Sequence, residues 1–373
     1  MALARGLAAR SEVRAGKGAE MMVVTQTPAD GMDDSRLPFS VVRRPRVYEL
    51  LKLMRSADVI HLANPALKPL IIGWILHKPV AIEHDGYQTI CPNGLLIYEP
   101  NRSVCPGHFG ARRYFKCLRC NSERLGWVGS VRSLLLTYLR RWLAHRVARN
   151  IAPTHHVGRR VALPRTHVIY HGVRKVEASD TKAVANHRET PTFFAYVGRL
   201  VPEKGLPALL HASSNLLKSG YSFRLRIIGD GPARRELEKM VEDLGLTGLT
   251  EFAGPVPVAA TYSLLQEVTA VIMPSVWEDV APLAASEQLM QGNLLIASDI
   301  GGLGEIVGSA GLTFAPGDYG ALESCMRRAI ENPTLADELR AEARRRGAQV
   351  FNEERMVEEH LQLYRELIES RSE

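Results

Sequence analysis

Short apolar or β-branched runs alternate with longer amphipathic stretches along most of this chain. Such a rhythm belongs to βαβ units, because a buried strand needs a crossover helix before a parallel neighbour can pair with it. It predicts an α/β fold built on parallel sheets. In the first half the pattern predicts strands near Met21–Thr25, Val59–Leu62, Pro79–Glu83, Asn150–Ala152 and His167–Tyr170, with helices near Arg46–Arg55, Pro65–His77 and Gly129–Arg149. Residues 174–190 are polar, lack apolar periodicity and read as a linker. A second series follows, with strands Thr192–Val197, Phe223–Ile228, Leu249–Phe252, Ala270–Met273 and Leu294–Ala297. Its helices are Leu206–Ser219, Ala233–Leu244, Val258–Glu267 and Pro282–Gln291. A chain of 373 residues suits two domains at roughly 100–200 residues each. These are expected at 1–173 and 191–352, with a final helix in 353–373. Two doubly wound, Rossmann-like domains joined by a linker predict a binding cleft between them.

The opening MALARGLAAR reads as a helix, so the first strand of a doubly wound domain and its following loop are expected to be missing. The apolar run Pro69–Leu76 is far short of the roughly 20 residues that cross a bilayer, and no signal-peptide pattern opens the chain. A cytoplasmic protein is expected. With 46% hydrophobic and 23% charged residues the chain can bury sizeable cores, which excludes disordered and collagen-like classes. Residues 1–173 hold 26 Lys and Arg against 11 Asp and Glu, a net +15, whereas the remainder holds 21 against 29, a net −8. The basic half favours anionic partners.

The chemistry concentrates in Met273–Glu305. A strand ends at Met273, a loop carries Trp277, Glu278 and Asp279, and Pro282 suits the first turn of a helix. Free amides there, at Leu283 and Ala284, can hold a diphosphate, and Glu287 can accept from sugar or ribose hydroxyls. Upstream, Gly198-Arg199 and Lys204-Gly205 follow the second domain's first strand, at the sheet edge where open α/β sheets bind ligands. Arginine offers a planar fork and lysine a point charge, a natural pair for a diphosphate. Ile228-Gly229-Asp230-Gly231-Pro232 makes a second glycine turn at the same edge.

Together these motifs resemble family-four glycosyltransferases of the GT-B fold, through most of residues 192–330. The resemblance implies that Arg199 and Lys204 bind the donor diphosphate and that Glu287 binds the nucleotide ribose. Gly198, Gly229, Leu283 and Ala284 would complete the donor site. Counting back eight from Glu287 reaches Asp279 where the family has its first glutamate, with Glu278 one position early, so the donor sugar falls to one or both. In Ala81–Gly86, the His84-Asp85 pair at a strand end is similar to the family's sugar-contacting histidine, and His171-Gly172-Val173 matches a turn read here as structural. The resemblance implies a retaining hexosyl transfer from a nucleoside-diphosphate sugar to a glycan or lipid-linked hydroxyl, without a catalytic metal. It also implies that the helix in 353–373 crosses back to the first domain. An alternative is a non-catalytic nucleotide-sugar or glycan-binding partner of a true transferase. A Rossmann oxidoreductase lacks its G-x-G-x-x-G and downstream acid.

Cys91, Cys105, Cys117 and Cys120 form a C-x13-C-x11-C-x2-C array in an insertion, about 86–128, rich in Pro, Gly and Arg. Four thiolates can close a structural zinc site that would rigidify a loop too polar to form its own core, and the competing reading is four reduced thiols. The stretch 129–149 combines Leu134, Leu135, Tyr138 and Trp142 with five arginines, a basic amphipathic helix that can lie peripherally on the anionic inner face of a membrane or simply cover a sheet. No zinc-finger array, helix-turn-helix or RNA-binding signature points to nucleic acid.

Overall fold

The computed structural model describes residues 2–13, 20–28, 33–174, 192–265 and 267–370, and nearly all of the predicted linker lies outside them. The chain divides into two units, residues 1–172 with 353–373, and residues 173–352.

The first unit runs α1 (Ala2–Val13), β1 (Met22–Thr25), β2 (Ser40–Arg43), α2 (Val47–Ser56), β3 (Ile60–Leu62), α3 (Leu67–Ile75) and β4 (Val80–Glu83). A hairpin follows, β5 (Ile97–Tyr98) with β6 (Ser103–Val104), then α4 (Tyr114–Ala144), β7 (Arg149–Ala152), α5 (His155–Val161) and β8 (Thr166–Val168). Strands β3, β4, β7 and β8 form one parallel sheet in that order. β4 is buried along its whole length, as the run Val80-Ala81-Ile82 demands of a strand covered on both faces.

Three expectations need correction here. The strand at Met22 does not join the main sheet; it pairs in parallel with β2, a strand missed in the sequence, and packs its apolar side on Ala4, Ala8 and Phe39. The helix expected at 129–149 is the second of two helical segments in Tyr114–Ala144, which are divided at Gly126, and it ends early, at Ala144. Asn150 stops it by donating Nδ2 to the Ala144 carbonyl at 3.0 Å, and Arg149 opens β7 instead. The insertion does build a small core, because Tyr87, Leu96, Ile97 and Phe109 are buried alongside all four of its thiols.

The second unit runs β9 (Phe193–Val197), α6 (Leu206–Lys218), β10 (Arg224–Ile228), α7 (Arg234–Asp243), β11 (Thr250–Gly254), α8 (Val258–Leu265) and β12 (Ala270–Met273). It continues α9 (Leu283–Gln291), β13 (Leu295–Ser298), α10 (Gly301–Val307), β14 (Gly311–Phe314), α11 (Tyr319–Glu331) and α12 (Pro333–Val350). All six strands are parallel, ordered β11-β10-β9-β12-β13-β14. The core between sheet and helices includes Phe194, Leu209, Ile227, Ile272 and Ile296, each fully buried. Caps follow sequence chemistry: Asp318 accepts from Ala321 N–H at 2.9 Å, and Asn332 from Leu335 N–H at 3.0 Å.

The last helix, α13 (Glu353–Glu369), belongs to the first unit, where Met356, Val357, Leu363 and Leu367 share a core with Leu7, Ala81 and Ile151.

Candidate functional site

In the second sheet the strand order reverses between β9 and β12, and a crevice opens at such a switch point because the loops leaving the two strands turn to opposite faces. A cavity of about 160 Å³ lies there, lined by residues from the end of β9, the end of β12 and the start of α9. The glycine turns hold these loops close together. Gly229 has φ 134°, and a Cβ on it would stand 1.9 Å from the Gly198 carbonyl oxygen, so only glycine lets the β9 and β10 turns meet. On the other side Gly302 donates its N–H to the Asp279 carbonyl at 2.7 Å, and a Cβ there would stand 2.1 Å from the Val280 oxygen.

The cavity gathers Gly198, Lys204, Asp279, Leu283 and Ala284. Lys204 Nζ donates to Asp279 Oδ2 at 2.6 Å, an ion pair largely removed from solvent that also lies 5.8 Å from the Trp277 ring centre. Ser275, which the sequence reading overlooked, donates to the same carboxylate oxygen at 3.2 Å and is itself held by Ser298, whose hydroxyl donates to its carbonyl at 2.5 Å. Tyr196, also overlooked, donates its hydroxyl to the Arg199 carbonyl at 2.8 Å and lines the cavity floor. The Arg199 side chain is exposed and has no hydrogen-bond or ion-pair partner among the described residues. Pro282 stands at the N-cap of α9, one position earlier than expected. Its carbonyl takes the Ala285 N–H at 2.9 Å, while the amides of Leu283 and Ala284 have no acceptor among the described residues. One turn on, Glu287 is half-buried without a hydrogen-bond partner among the described residues, and burial raises its carboxyl above the usual range. Glu278 is part-exposed beside Asp279, outside the cavity lining. A cation, two free amides and a desolvated carboxylate at one sheet edge suit a phosphorylated, hydroxyl-rich ligand.

Residues 178–346 match the family described as glycosyl transferases group 1. That segment belongs to this family. Among curated relatives of the chain, 2-deoxystreptamine glucosyltransferase of Streptomyces kanamyceticus is 32% identical over 149 residues, 39% of this chain and 38% of that protein. D-rhamnosyltransferase WbpZ of Pseudomonas aeruginosa is 32% identical over 195 residues, 50% of each. The chain thus spans half or less of the length of these relatives. Among solved structures, Anabaena HepE in complex with UDP-glucose has a TM-score of 0.67 at 16% identity, over 99% of this chain and 96% of that one. The fold is GT-B.

The group 1 resemblance also singled out His84, in the first unit. It lies just past β4, fully buried, its N–H donating to the Ile151 carbonyl at 2.9 Å and its Nε2 paired with Asn150 Oδ1 at 2.9 Å. Burial lowers its pKa, and Nδ1 has no partner. On either side of it the sequence reading missed a network. Glu83 meets His61 Nε2 and His171 Nε2, each at 3.1 Å, and His171 also meets Asp85 at 3.1 Å. Burial would raise the Glu83 carboxyl, but hydrogen bonds from His171 and His61 hold it well below its ordinary value. Burial would likewise lower His171, yet Asp85 and Glu83 carry it up to about 10, so it is an imidazolium at neutral pH. Glu83, Asp85 and His171 are also the one group of three or more His, Cys, Asp or Glu side chains among the described residues whose ligand atoms all lie within 4.8 Å.

The four insertion cysteines are buried and free, without three sulfurs drawn that close. Cys91 Sγ donates to Asn93 Oδ1 at 2.8 Å, and the same amide donates to Cys120 Sγ at 3.6 Å. The Glu99 N–H also points at Cys120 Sγ, at 3.4 Å. Burial, and then the neighbouring Cys91, Cys105 and Cys120, push the Cys117 thiol up to about 12. Among the described residues no helix is long and apolar enough to cross a membrane.

Proposed function

We propose that this chain is a retaining glycosyltransferase that moves a hexosyl unit from a nucleoside-diphosphate sugar to a hydroxyl of a glycan or lipid-linked acceptor. The observation that carries the reading is the switch-point cavity, where Lys204 and the unpaired Leu283 and Ala284 amides converge inside the group 1 segment. In this reading Arg199, Lys204 and those amides take up charge as the diphosphate leaves. Glu287 accepts from ribose hydroxyls. Asp279, with Glu278 beside it, faces the donor sugar, and the Lys204 pair and Ser275 fix its orientation. For His84, in the first unit, the family resemblance supports a sugar contact, and its Nδ1 has no hydrogen-bond partner among the described residues. No metal is assigned to the chemistry, since the cationic groups and amides supply the positive charge a diphosphate needs.

A structural zinc on Cys91, Cys105, Cys117 and Cys120 is a separate part of the proposal, supported by the burial of all four thiols and by Asn93, which bonds both Cys91 and Cys120. Zinc content of the purified chain, with thiol titration after chelation, tests it; metal-free protein with four reactive thiols refutes it. Peripheral contact with an anionic membrane is the third part, supported by the basic face of α4.

Thermal shift against UDP-, GDP- and ADP-sugars tests the donor site, since a ligand at 100 times its Kd adds about 2.7 kcal/mol. A shift for one nucleotide class that disappears in Arg199→Ala is expected. No shift with any class removes the reading. Donor binding without transfer to any acceptor assigns the chain instead as a nucleotide-sugar-binding partner of another transferase.

A further inference from the structure

Nine of the nineteen exposed large apolar side chains among the described residues lie in α4, seven of them on the segment after its break at Gly126. Val128, Val131, Leu135, Tyr138, Leu139 and Trp142 follow one another at three- and four-residue spacing, so they form a single stripe along its second half. Val128 is 85% exposed. Trp74, exposed on α3, widens the stripe through an edge contact with Trp142, 5.4 Å between ring centres. A soluble surface rarely leaves so continuous an apolar patch uncovered without a partner for it.

On the neighbouring face of the same helix a groove of about 300 Å³ is lined by Leu125, Arg132, Leu136 and Arg140 from α4 and by Gln88 and Pro92 from the loop after β4. Neither guanidinium has a hydrogen-bond or ion-pair partner among the described residues, and no carboxylate lines the groove. Arg140 is half-buried, so its charge has already lost part of its hydration. Gln88 Oε1 is buried without a donor. The groove therefore asks for a group with negative charge and a hydroxyl, next to something apolar enough to cover the stripe.

We infer that this face docks on a bilayer by seating the phosphodiester of an anionic glycerophospholipid between Arg132 and Arg140, with Gln88 accepting from a headgroup hydroxyl and the Val128–Trp142 stripe lying among the acyl chains. Two planar forks match the phosphate oxygens. The surrounding charge agrees, because α4 carries six Lys and Arg against Glu123 alone. A second copy is a poorer occupant: a symmetric contact through this face would set one strongly basic helix against another. The inference rests on the peripheral-membrane part of the proposal above and is independent of transfer chemistry.

The test is cosedimentation of the full chain, without nucleotide, on phosphatidylcholine vesicles with and without phosphatidylglycerol. Binding is expected only with phosphatidylglycerol and falling with salt. The double variant Arg132→Gln/Arg140→Gln should weaken it about 25-fold, taking about five-fold per surface charge. Val128→Asp/Leu135→Asp should abolish it; both pairs are solvent-facing enough for the melting temperature to remain that of the parent. Arg199→Ala should bind as the parent does, so a failed donor site and a failed lipid site read out separately. Absence of vesicle binding overturns the inference, and so does undiminished binding by the arginine variant. Glycerol 3-phosphate that protects the chain thermally through Arg132 and Arg140 while vesicles do not bind assigns a free phosphate ester instead. A dimer in light scattering that Val128→Asp/Leu135→Asp dissolves assigns the face to a second copy.

Discussion

At the end of β4 the ionisable groups satisfy one another: Glu83 is shared by His61 and His171, and His171 closes on Asp85. At the ends of β9 and β12 Lys204 pairs with Asp279, while Arg199, Glu287 and two amides have no hydrogen-bond or ion-pair partner among the described residues. Both places are strand ends of parallel sheets, so topology alone does not separate them. What separates them is whether the protein spends its charges internally or keeps them for a ligand. A closed network stabilises its own loop, and its worth appears in folding. An open one bears a desolvation cost that a ligand offsets, and its worth appears in binding.

The sharpest way to break this contrast is Lys204→Ala. If Lys204 works on the ligand, transfer should fall about 100- to 1000-fold, the scale for removing one preorganised charge-stabilising donor. Stability should fall too, because Asp279 is left buried and unpaired. The double variant Lys204→Ala/Asp279→Asn, read against Asp279→Asn alone, separates the two effects. Its melting temperature should recover and its transfer should not. Recovery of both would place Lys204 in the closed class with His171.

In the first unit the corresponding variant is His171→Gln, with a folding readout. Its loss should cost about 1–3 kcal/mol, discounted from a fully buried pair because Asp85 is partly exposed. The pH dependence carries the signature. The His171 pKa is raised from 6.5 to about 10 by folding, so its contribution is complete below about 6.5 and is lost as pH rises towards 10. The Glu83 carboxyl is lowered, so its contribution is present above its unfolded value of 4.5 and is lost as pH falls beneath it. Melting temperature against pH should therefore plateau between those limits, and His171→Gln should flatten the alkaline limb. An unchanged alkaline limb would mean that His171 is not the charged partner of Glu83.

The same contrast explains what could be read from the sequence. The second unit was legible because its signals are local: strand, glycine turn and helix follow one another within a few residues at Tyr196–Gly205, Ile228–Pro232 and Met273–Glu287. Even the free amides of Leu283 and Ala284 follow from a proline and a helix start. The closed network was illegible because its members come from residues 61, 83, 85 and 171, with Tyr364 on α13 donating to His61 Nδ1 at 2.8 Å. No spacing rule joins positions 303 residues apart. The Lys204–Asp279 pair is a middle case, since both residues were singled out but for separate ligand groups. In the insertion, polar composition hid a core whose apolar members are few and far apart, Tyr87, Leu96 and Phe109. The strand β2 escaped because its partner β1 is just four residues long and half-exposed.

Between the two classes lies a backbone test. Gly302→Ala places a Cβ 2.1 Å from the Val280 oxygen, so the loop carrying Glu278 and Asp279 must move. About 2 kcal/mol of stability should be lost, within the range for strain at a close backbone contact. Donor affinity should drop with it, while Gly320→Ala, where a Cβ makes only an ordinary contact with Asp318 Oδ1 at 3.5 Å, serves as the control. Equal donor affinity in Gly302→Ala and the control would show that the loop position is irrelevant to binding.

The smallest effect is expected at Glu287, and it tests the open class most finely. Its side chain has no hydrogen-bonding partner among the described residues, so Glu287→Gln should leave folding unchanged or slightly improved, burial having raised the carboxyl pKa above 4.5. A raised pKa means that folding disfavours the carboxylate, a cost that a ligand bonding it would offset. Ribose hydroxyls donating to a charged acceptor are worth about 1.5 kcal/mol more than to none, and the amide keeps part of that, so donor affinity should fall about five-fold. The pH profile should discriminate further. In the parent, donor affinity should decline as pH falls through the raised carboxyl pKa, because the protonated acid offers one acceptor fewer. In Glu287→Gln that decline should vanish while the affinity at neutral pH stays low. Calorimetric titration of the nucleotide that passes the thermal-shift screen, at several pH values, measures both. A parent profile that is flat on the acid side would mean that Glu287 faces the ligand without bonding it, and the ribose would then need another acceptor on α9.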